Sequence, residues 1–341
     1  MLTIDTKHID TDKFSESLRR KGIDRENNRI LITNFDGSQQ SRDFTLSPNC
    51  GGFGRIHHFR RSSGRENWPA NPLPIDPAVK ALQLPRRDEM QAQVFQNAIC
   101  SWRCWYCFVD YALLSGDPKH SEFKSVDELI DLYLNDSIQA PIIDLSGGQP
   151  DLVPEWVLWF TDAIYRRGLG KRVYIWMDDN LSNDYLWRFL KSEEIRRLSS
   201  RQNYGRVGCF KGFDANSFSF NTKATPEMYD HQFSHMRRLV DAGFDVYGYA
   251  TLTSDSDKDI LIHMNDFIDR LQSKVHPLFP LRTVPLRIFE FSPTSSRMSE
   301  DHRRALRIQE QAVQVWVEEV ARRFSLEERS RPIYDNLLRG S

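Results

Sequence analysis

The chain has 341 residues, 40% of them hydrophobic, 27% charged and 12% aromatic. It is too apolar for a disordered polypeptide and long enough for a large core. Lys and Arg number 46 against 47 Asp and Glu, a formal net charge of -1, so no global field recruits nucleic acid or an anionic membrane.

The first residues, MLTIDTKHIDTDKF, lack a basic stretch followed by an apolar one. No run of about 18 apolar residues occurs to span a bilayer. These features predict a cytoplasmic protein. In that reducing compartment, closely spaced thiols serve as metal ligands or redox groups more often than as disulfides.

Residues 1–90 hold six of the 16 prolines and a glycine cluster at Gly51, Gly52 and Gly54. They read as an irregular N-terminal extension placed to close the mouth of a barrel formed by the residues that follow. The basic run 55–61, Arg-Ile-His-His-Phe-Arg-Arg, reads as a solvated loop. Its Arg55, Arg60 and Arg61, with Arg65, weakly favour an anionic ligand.

From residue 91 to about 330, short apolar runs alternate with helical stretches, the rhythm of an α/β parallel sheet. Predicted strands are Gln91–Ala98, Pro141–Leu145, Arg172–Met177, Arg206–Phe210, Phe244–Thr251 and Leu286–Phe291. Ser125 is placed to cap a helix over Val126–Leu134. Thr225-Pro226 opens another helix and Gly243 stops it. Tyr229, Phe233, Met236 and Val240 share one face of that helix, and Ala305, Ile308, Ala312, Trp316 and Val320 share one face of the last long helix. Residues 331–341 read as a tail. Six strand–helix units fit either a partial barrel or a doubly wound sheet, and both place chemistry at the carboxyl ends of the strands.

Directly after the first strand stands Cys100-Ser-Trp-Arg-Cys104-Trp-Tyr-Cys107. Its C-x3-C-x2-C spacing lets one loop point three thiolates at one centre. Three thiolates leave a four-iron (4Fe-4S) cluster with one iron free to bind something else. A zinc site completed by Cys50, Cys209 or a histidine is the alternative. On that alternative the chain is a zinc- or cluster-stabilised binding protein without catalysis.

The cysteine run, with Tyr106 just before the third thiol, resembles the signature of the radical S-adenosylmethionine (radical SAM) superfamily. The resemblance extends over roughly residues 91–295. Leu145-Ser-Gly147-Gly148-Gln149-Pro150 resembles that superfamily's GGEP motif, with Gln149 in place of the glutamate. Met177-Asp178-Asp179-Asn180 resembles the LDTNG run of the glycyl-radical (pyruvate formate-lyase) activating enzymes, which matches Asp178 and Asn180 to cofactor-pocket residues. Asp179 is an alternative helix cap. Lys211 matches a lysine that reaches the methionine carboxylate, whereas Cys209 replaces an aspartate and Tyr249 stands where those enzymes often have arginine. Glu290, on the sixth strand, faces either the interior or Arg287.

The resemblance implies a partial (β/α)6 TIM-like barrel, an Fe-S cluster on Cys100, Cys104 and Cys107, and S-adenosyl-L-methionine held by Gly147, Gly148, Gln149, Asp178, Asn180 and Lys211. Reductive cleavage of that cofactor yields a 5′-deoxyadenosyl radical that abstracts hydrogen from a small molecule or peptide. A low-potential flavodoxin- or ferredoxin-type donor supplies the electron. Trp102, Trp105, Tyr106 and Phe108 would keep the cluster loop dry. The alternative within the superfamily is an activase whose partner is a glycyl-radical protein.

Overall fold

A computed structural model describes residues 8–62, 64 and 68–338. Helix α1 (Thr11–Gly22), capped by Asp10, leads into an antiparallel pair, β1 (Ile23–Asp24) and β2 (Arg29–Thr33). Strand β3 (Gly54–Arg60), helix α2 (Ile75–Ala81) and strand β4 (Glu89–Phe95) follow. Beyond the cysteine loop come β5 (Ser121–Ser125), α3 (Val126–Asn135), β6 (Ile142–Asp144), α4 (Pro154–Arg166) and β7 (Tyr174–Asp179). Next are α5 (Tyr185–Phe189), α6 (Ser192–Ser199), β8 (Tyr204–Phe210), α7 (Ala215–Thr222), α8 (Met228–Asp241) and β9 (Val246–Thr251). The chain continues through α9 (Ile260–Arg270), β10 (Thr283–Leu286), α10 (Ser292–Ser295), α11 (Glu300–Arg323) and α12 (Leu326–Ser330).

The main sheet runs β10-β9-β8-β7-β6-β4-β3. From β4 to β10 every pair is parallel. The strands follow one another in a single direction with no reversal, whereas a doubly wound sheet reverses at a switch point. The sheet curls into a half-barrel, a partial TIM-like barrel. β5 belongs instead to a small sheet ordered β1-β2-β5.

Side-chain alternation divides the sheet into two faces. Ile143, Ile175, Phe210 and Ala250 face the helical layer, in one core with Trp156, Phe233 and Trp316. Ala92, Trp176, Val207, Cys209 and Tyr249 face the concave side, where Leu73, Ile75 and Ala78 fill the space. The extension is therefore part of the barrel: its α2 plugs the interior, and the tail joins it through Ile333 and a Lys80–Asp335 pair at 3.1 Å.

Two expectations are corrected. The run 55–61 is no loop, because Gly54–Arg60 forms β3 and pairs antiparallel with β4 along its whole length. It covers the edge that β4 would otherwise expose. The sixth strand is Thr283–Leu286, ahead of the expected Leu286–Phe291. Ile288 bonds through its N–H and C=O to the Gln309 side chain, at 3.0 and 2.9 Å. A helix residue thus satisfies the backbone where strand pairing was expected.

The helix readings hold. Ser125 and Glu128 form a capping box at α3, Pro226 sits just before α8, and Gly243 follows it with φ +81°. Tyr229, Phe233, Met236 and Val240 are all buried, as are Ala305, Ile308, Ala312 and Trp316, while Val320 is half-buried. No helix among the described residues is long and apolar enough to cross a membrane.

Candidate active site

The cysteine loop leaves the carboxyl end of β4 and is fixed from three directions. The N–H groups of Arg103 and Trp105 donate to the carbonyls of Thr222 and Asn221, at 3.2 and 3.3 Å. Those are the last residues of α7, where Lys223 turns left-handed (φ +63°). The Asn221 side chain also accepts from the Trp105 indole at 3.0 Å. The Tyr111 hydroxyl meets the carbonyls of Arg103 and Cys104, at 2.9 and 2.8 Å. Arg297 donates to the carbonyls of Cys107 and Val109 and stacks on the Tyr111 ring. Trp102, Trp105 and Tyr106 are buried, and Phe108 is half-buried.

Cys100 and Cys104 are buried and Cys107 is half-buried. Burial pushes the Cys100 thiol up to about 12, with the neighbouring Cys104 and Cys107 adding to it, and burial also raises Cys107. In the free chain Cys100 and Cys107 are neutral thiols, and a bound metal has to displace their protons. Among the described residues no three His, Cys, Asp or Glu side chains are grouped as one metal ion requires. Three thiols on one loop, each within electrostatic range of the others, are of the donor type that an iron-sulfur cluster takes. Cys50 lies apart, its N–H and thiol directed at Asp136. Cys209 sits in the concave core.

The loop after β6 docks on the cysteine loop. Gln149 is fully buried; its side-chain oxygen accepts the N–H and hydroxyl of Ser101, at 2.7 and 2.9 Å. Its amide nitrogen donates to Asp151 and Ser182, at 2.9 and 2.8 Å. That side chain is spent on bracing two loops. A Cβ on Gly148 would stand 1.8 Å from the Asn97 side-chain oxygen and 2.0 Å from its carbonyl. Gly147 has φ +106°, and a Cβ there would meet the Gln96 oxygen at 2.5 Å. The glycines are required by close approach to the end of β4.

Asn180 follows β7 and touches Cys100, its amide nitrogen 3.7 Å from the sulfur, while its own N–H donates to Asp151 at 3.2 Å. Asp178 lies at the end of β7, on the concave face that Trp176 shares two residues earlier. Burial, and then the charge of Asp144, raises its carboxyl to about 7. Asp179 caps no helix; it accepts the Leu181 N–H at 2.7 Å and pairs with buried Arg206 at 3.4 Å. Lys211 lies 6.0 Å from the Tyr106 ring. Burial works against its charge, but Tyr106, Cys209, Cys104 and Asp178 together hold its pKa well above the ordinary lysine value. Cys107, Gly147, Gly148, Asp178, Asn180 and Lys211 are all half-buried, each at the carboxyl end of a strand or in the loop after it. Tyr249 is buried, its hydroxyl bonded to Asn71 at 3.2 Å.

Several expectations fall away from the site. Glu290 is exposed and accepts from Ser295 at 2.9 Å, so it neither faces the interior nor pairs along a strand. Arg60 pairs with Glu89 at the protein's surface, and half-buried Arg61 with Asp76 and Asp88. Arg65 lies outside the described residues. Arg55 alone of this group turns inward, 6% exposed.

Sequence reasoning missed Asp144 and Asp151. Asp144 shares the concave face with Ile142 two residues earlier, a period that was available to read. Asp151 follows the proline of the Gly-Gly-Gln-Pro run. Burial and then the charge of Asp179 raise it to about 7. On the outer side of α7 a separate groove of about 920 Å3 is lined by Phe213, Phe220, Lys223, Ser254 and Lys258. Phe220 stands between it and Trp105, with ring centroids 6.0 Å apart.

No family model matches the chain, and no curated protein matches it. Among solved structures it is similar to Streptococcus suis SuiB bound to S-adenosylmethionine, at 14% identity over 53% of this chain and 37% of that chain, with a TM-score of 0.37. It is likewise similar to Streptococcus suis SuiB bound to precursor peptide SuiA, at 15% identity over 52% of this chain and 36% of that chain, with a TM-score of 0.36. The likeness spans about half of this chain and little more than a third of SuiB.

Proposed function

We propose that the chain is a radical S-adenosylmethionine enzyme acting on a small molecule or peptide. One observation carries the reading: motifs far apart in sequence meet at one rim, where the Asn180 amide lies against the Cys100 sulfur and Lys211 feels both Cys104 and Asp178. When bound, a 4Fe-4S cluster with S-adenosylmethionine supplies one-electron cleavage of the sulfonium, giving the hydrogen-abstracting 5′-deoxyadenosyl radical.

The chain's own residues bind, orient and exclude water. Cys100, Cys104 and Cys107 hold the cluster. Lys211, a cation in a poorly solvated setting, pairs with the methionine carboxylate. The backbone of Gly147 and Gly148 and the side chains of Asp178 and Asn180 line the rim beside it, and Gln149 holds the loops in register from behind. Trp102, Trp105 and Tyr106 keep water from the loop. A low-potential flavodoxin- or ferredoxin-type protein delivers the electron.

Anaerobic reconstitution with iron and sulfide tests the reading. The expected product is a brown protein with broad visible absorption, whose reduced electron paramagnetic resonance signal shifts on adding S-adenosylmethionine. Reconstituted protein with no such absorption, or with a signal indifferent to S-adenosylmethionine, overturns it.

A further inference from the structure

We infer that Arg55 anchors a carboxylate group of the substrate. The inference rests on the rim beside the cysteine loop being a substrate site, as the radical reading has it. Arg55 comes from the N-terminal extension, on β3. It stands opposite Val94, which stands opposite Asp144, so all three share one level of the sheet. Its guanidinium lies between two rings, 5.2 Å from Phe108 and 5.4 Å from Phe44. Phe108 directly follows Cys107, which sets the guanidinium beside the cysteine loop.

Among the described residues the Arg55 side chain makes no hydrogen bond and no ion pair, and its Nε is buried without a partner. A buried guanidinium with an unfilled fork is costly unless something pairs with it. Burial lowers its pKa to about 10, and only the more distant charges of Asp144 and Asp178 oppose that. The missing partner is an acceptor that arrives from outside.

The surroundings select its chemistry. A planar fork between aromatic faces matches a carboxylate bidentately. Asp144 and Asp178 both resist ionisation here, Asp144 through burial and Asp178 through burial and Asp144. A carboxylate fills the fork with a single charge, whereas a phosphate dianion brings a second one up to the acidic neighbours Asp144 and Asp178. Phe44 and Phe108 suit an apolar body next to the carboxylate. An acidic metabolite or a peptide carboxylate carries the same group.

Calorimetry on the reconstituted protein with S-adenosylmethionine tests this, with benzoate, benzamide and phenyl phosphate as probes. Benzoate is expected to bind at least about tenfold more tightly than benzamide, the size of one charge-assisted bond. Arg55→Lys keeps the charge but not the fork and should weaken benzoate about tenfold. Arg55→Met should abolish the preference. Equal binding of benzoate and benzamide, no binding of benzoate, tighter binding of phenyl phosphate, or an Arg55→Lys protein that binds benzoate as tightly as wild type each overturns the inference. The wild-type comparison and Arg55→Lys decide the matter if Arg55→Met does not fold. Formation of 5′-deoxyadenosine without substrate is read separately, in the wild type. Its absence from wild type refutes the radical reading instead, independently of the probes.

Discussion

The side-chain oxygen of Gln149 accepts both the backbone N–H and the hydroxyl of Ser101, at 2.7 and 2.9 Å. The residue after the first cysteine is thereby tied to the loop after β6. The other end of the same amide donates to Asp151, which also accepts the N–H of Asn180. Three segments that surround Cys100 are thus held by one buried network.

Gln149→Glu keeps the shape and the acceptor but loses the donor to Asp151 and Ser182. It sets two carboxylates against each other in the core, and each buried group left unpaired costs roughly 1–3 kcal/mol. The denaturation midpoint should fall at pH 8 and recover in part at pH 5.5, where the pair holds a proton. Equal midpoints of variant and wild type at pH 8 would show that the brace is unimportant.

Gly148→Ala puts a methyl group against the Asn97 carbonyl, a backbone atom that cannot swing aside. The loop must shift, at about 1–3 kcal/mol as for other overpacked sites. Chemical denaturation measures the loss, and iron retained after reconstitution should fall with it.

Asp178 and Asp151 both titrate near pH 7 in the folded chain, chiefly because they are buried. Between the ordinary carboxylate range and about pH 7, the folded protein keeps protons that the unfolded chain has released. Stability is therefore fully present at low pH and declines as pH rises through 7. Melting temperature recorded from pH 5.5 to 8.5 should fall more steeply for wild type than for Asp178→Asn. Identical slopes would contradict the assignment.

Lys211→Ala should weaken binding of S-adenosylmethionine by about tenfold or more, the worth of a charge-assisted contact in a poorly solvated site. Iron content should stay unchanged, because Lys211 holds no ligand loop through its side chain. Equilibrium dialysis alongside iron analysis reads both quantities, and unaltered affinity would remove Lys211 from the cofactor site.

Most of the parallel sheet was legible because its strands are buried on both faces and read as apolar runs between helical periods. Trp176, Val207 and Tyr249 are such positions. The strand Gly54–Arg60 was not legible: Arg55, His57 and Arg60 carry the composition of a loop, and only its pairing with β4 gives the segment order. Leu286–Phe291 misled for the opposite reason, since its apolar residues suggest a strand while the Gln309 side chain takes its backbone bonds. At the site, cysteine spacing located the loop, but Gln149 bonds inward and the glycines answer to Gln96 and Asn97. Distances between loops decide such roles, and no local pattern encodes them.

On the proposed function, reductive cleavage of S-adenosylmethionine depends on Cys100, Cys104 and Cys107. Reconstituted protein, dithionite and S-adenosylmethionine, mixed without oxygen and followed by chromatography, test it directly. Wild type should form 5′-deoxyadenosine and methionine, and Cys104→Ala should form neither. Iron-loaded wild type that forms no 5′-deoxyadenosine, or a Cys104→Ala protein that forms as much as wild type, would contradict the claim.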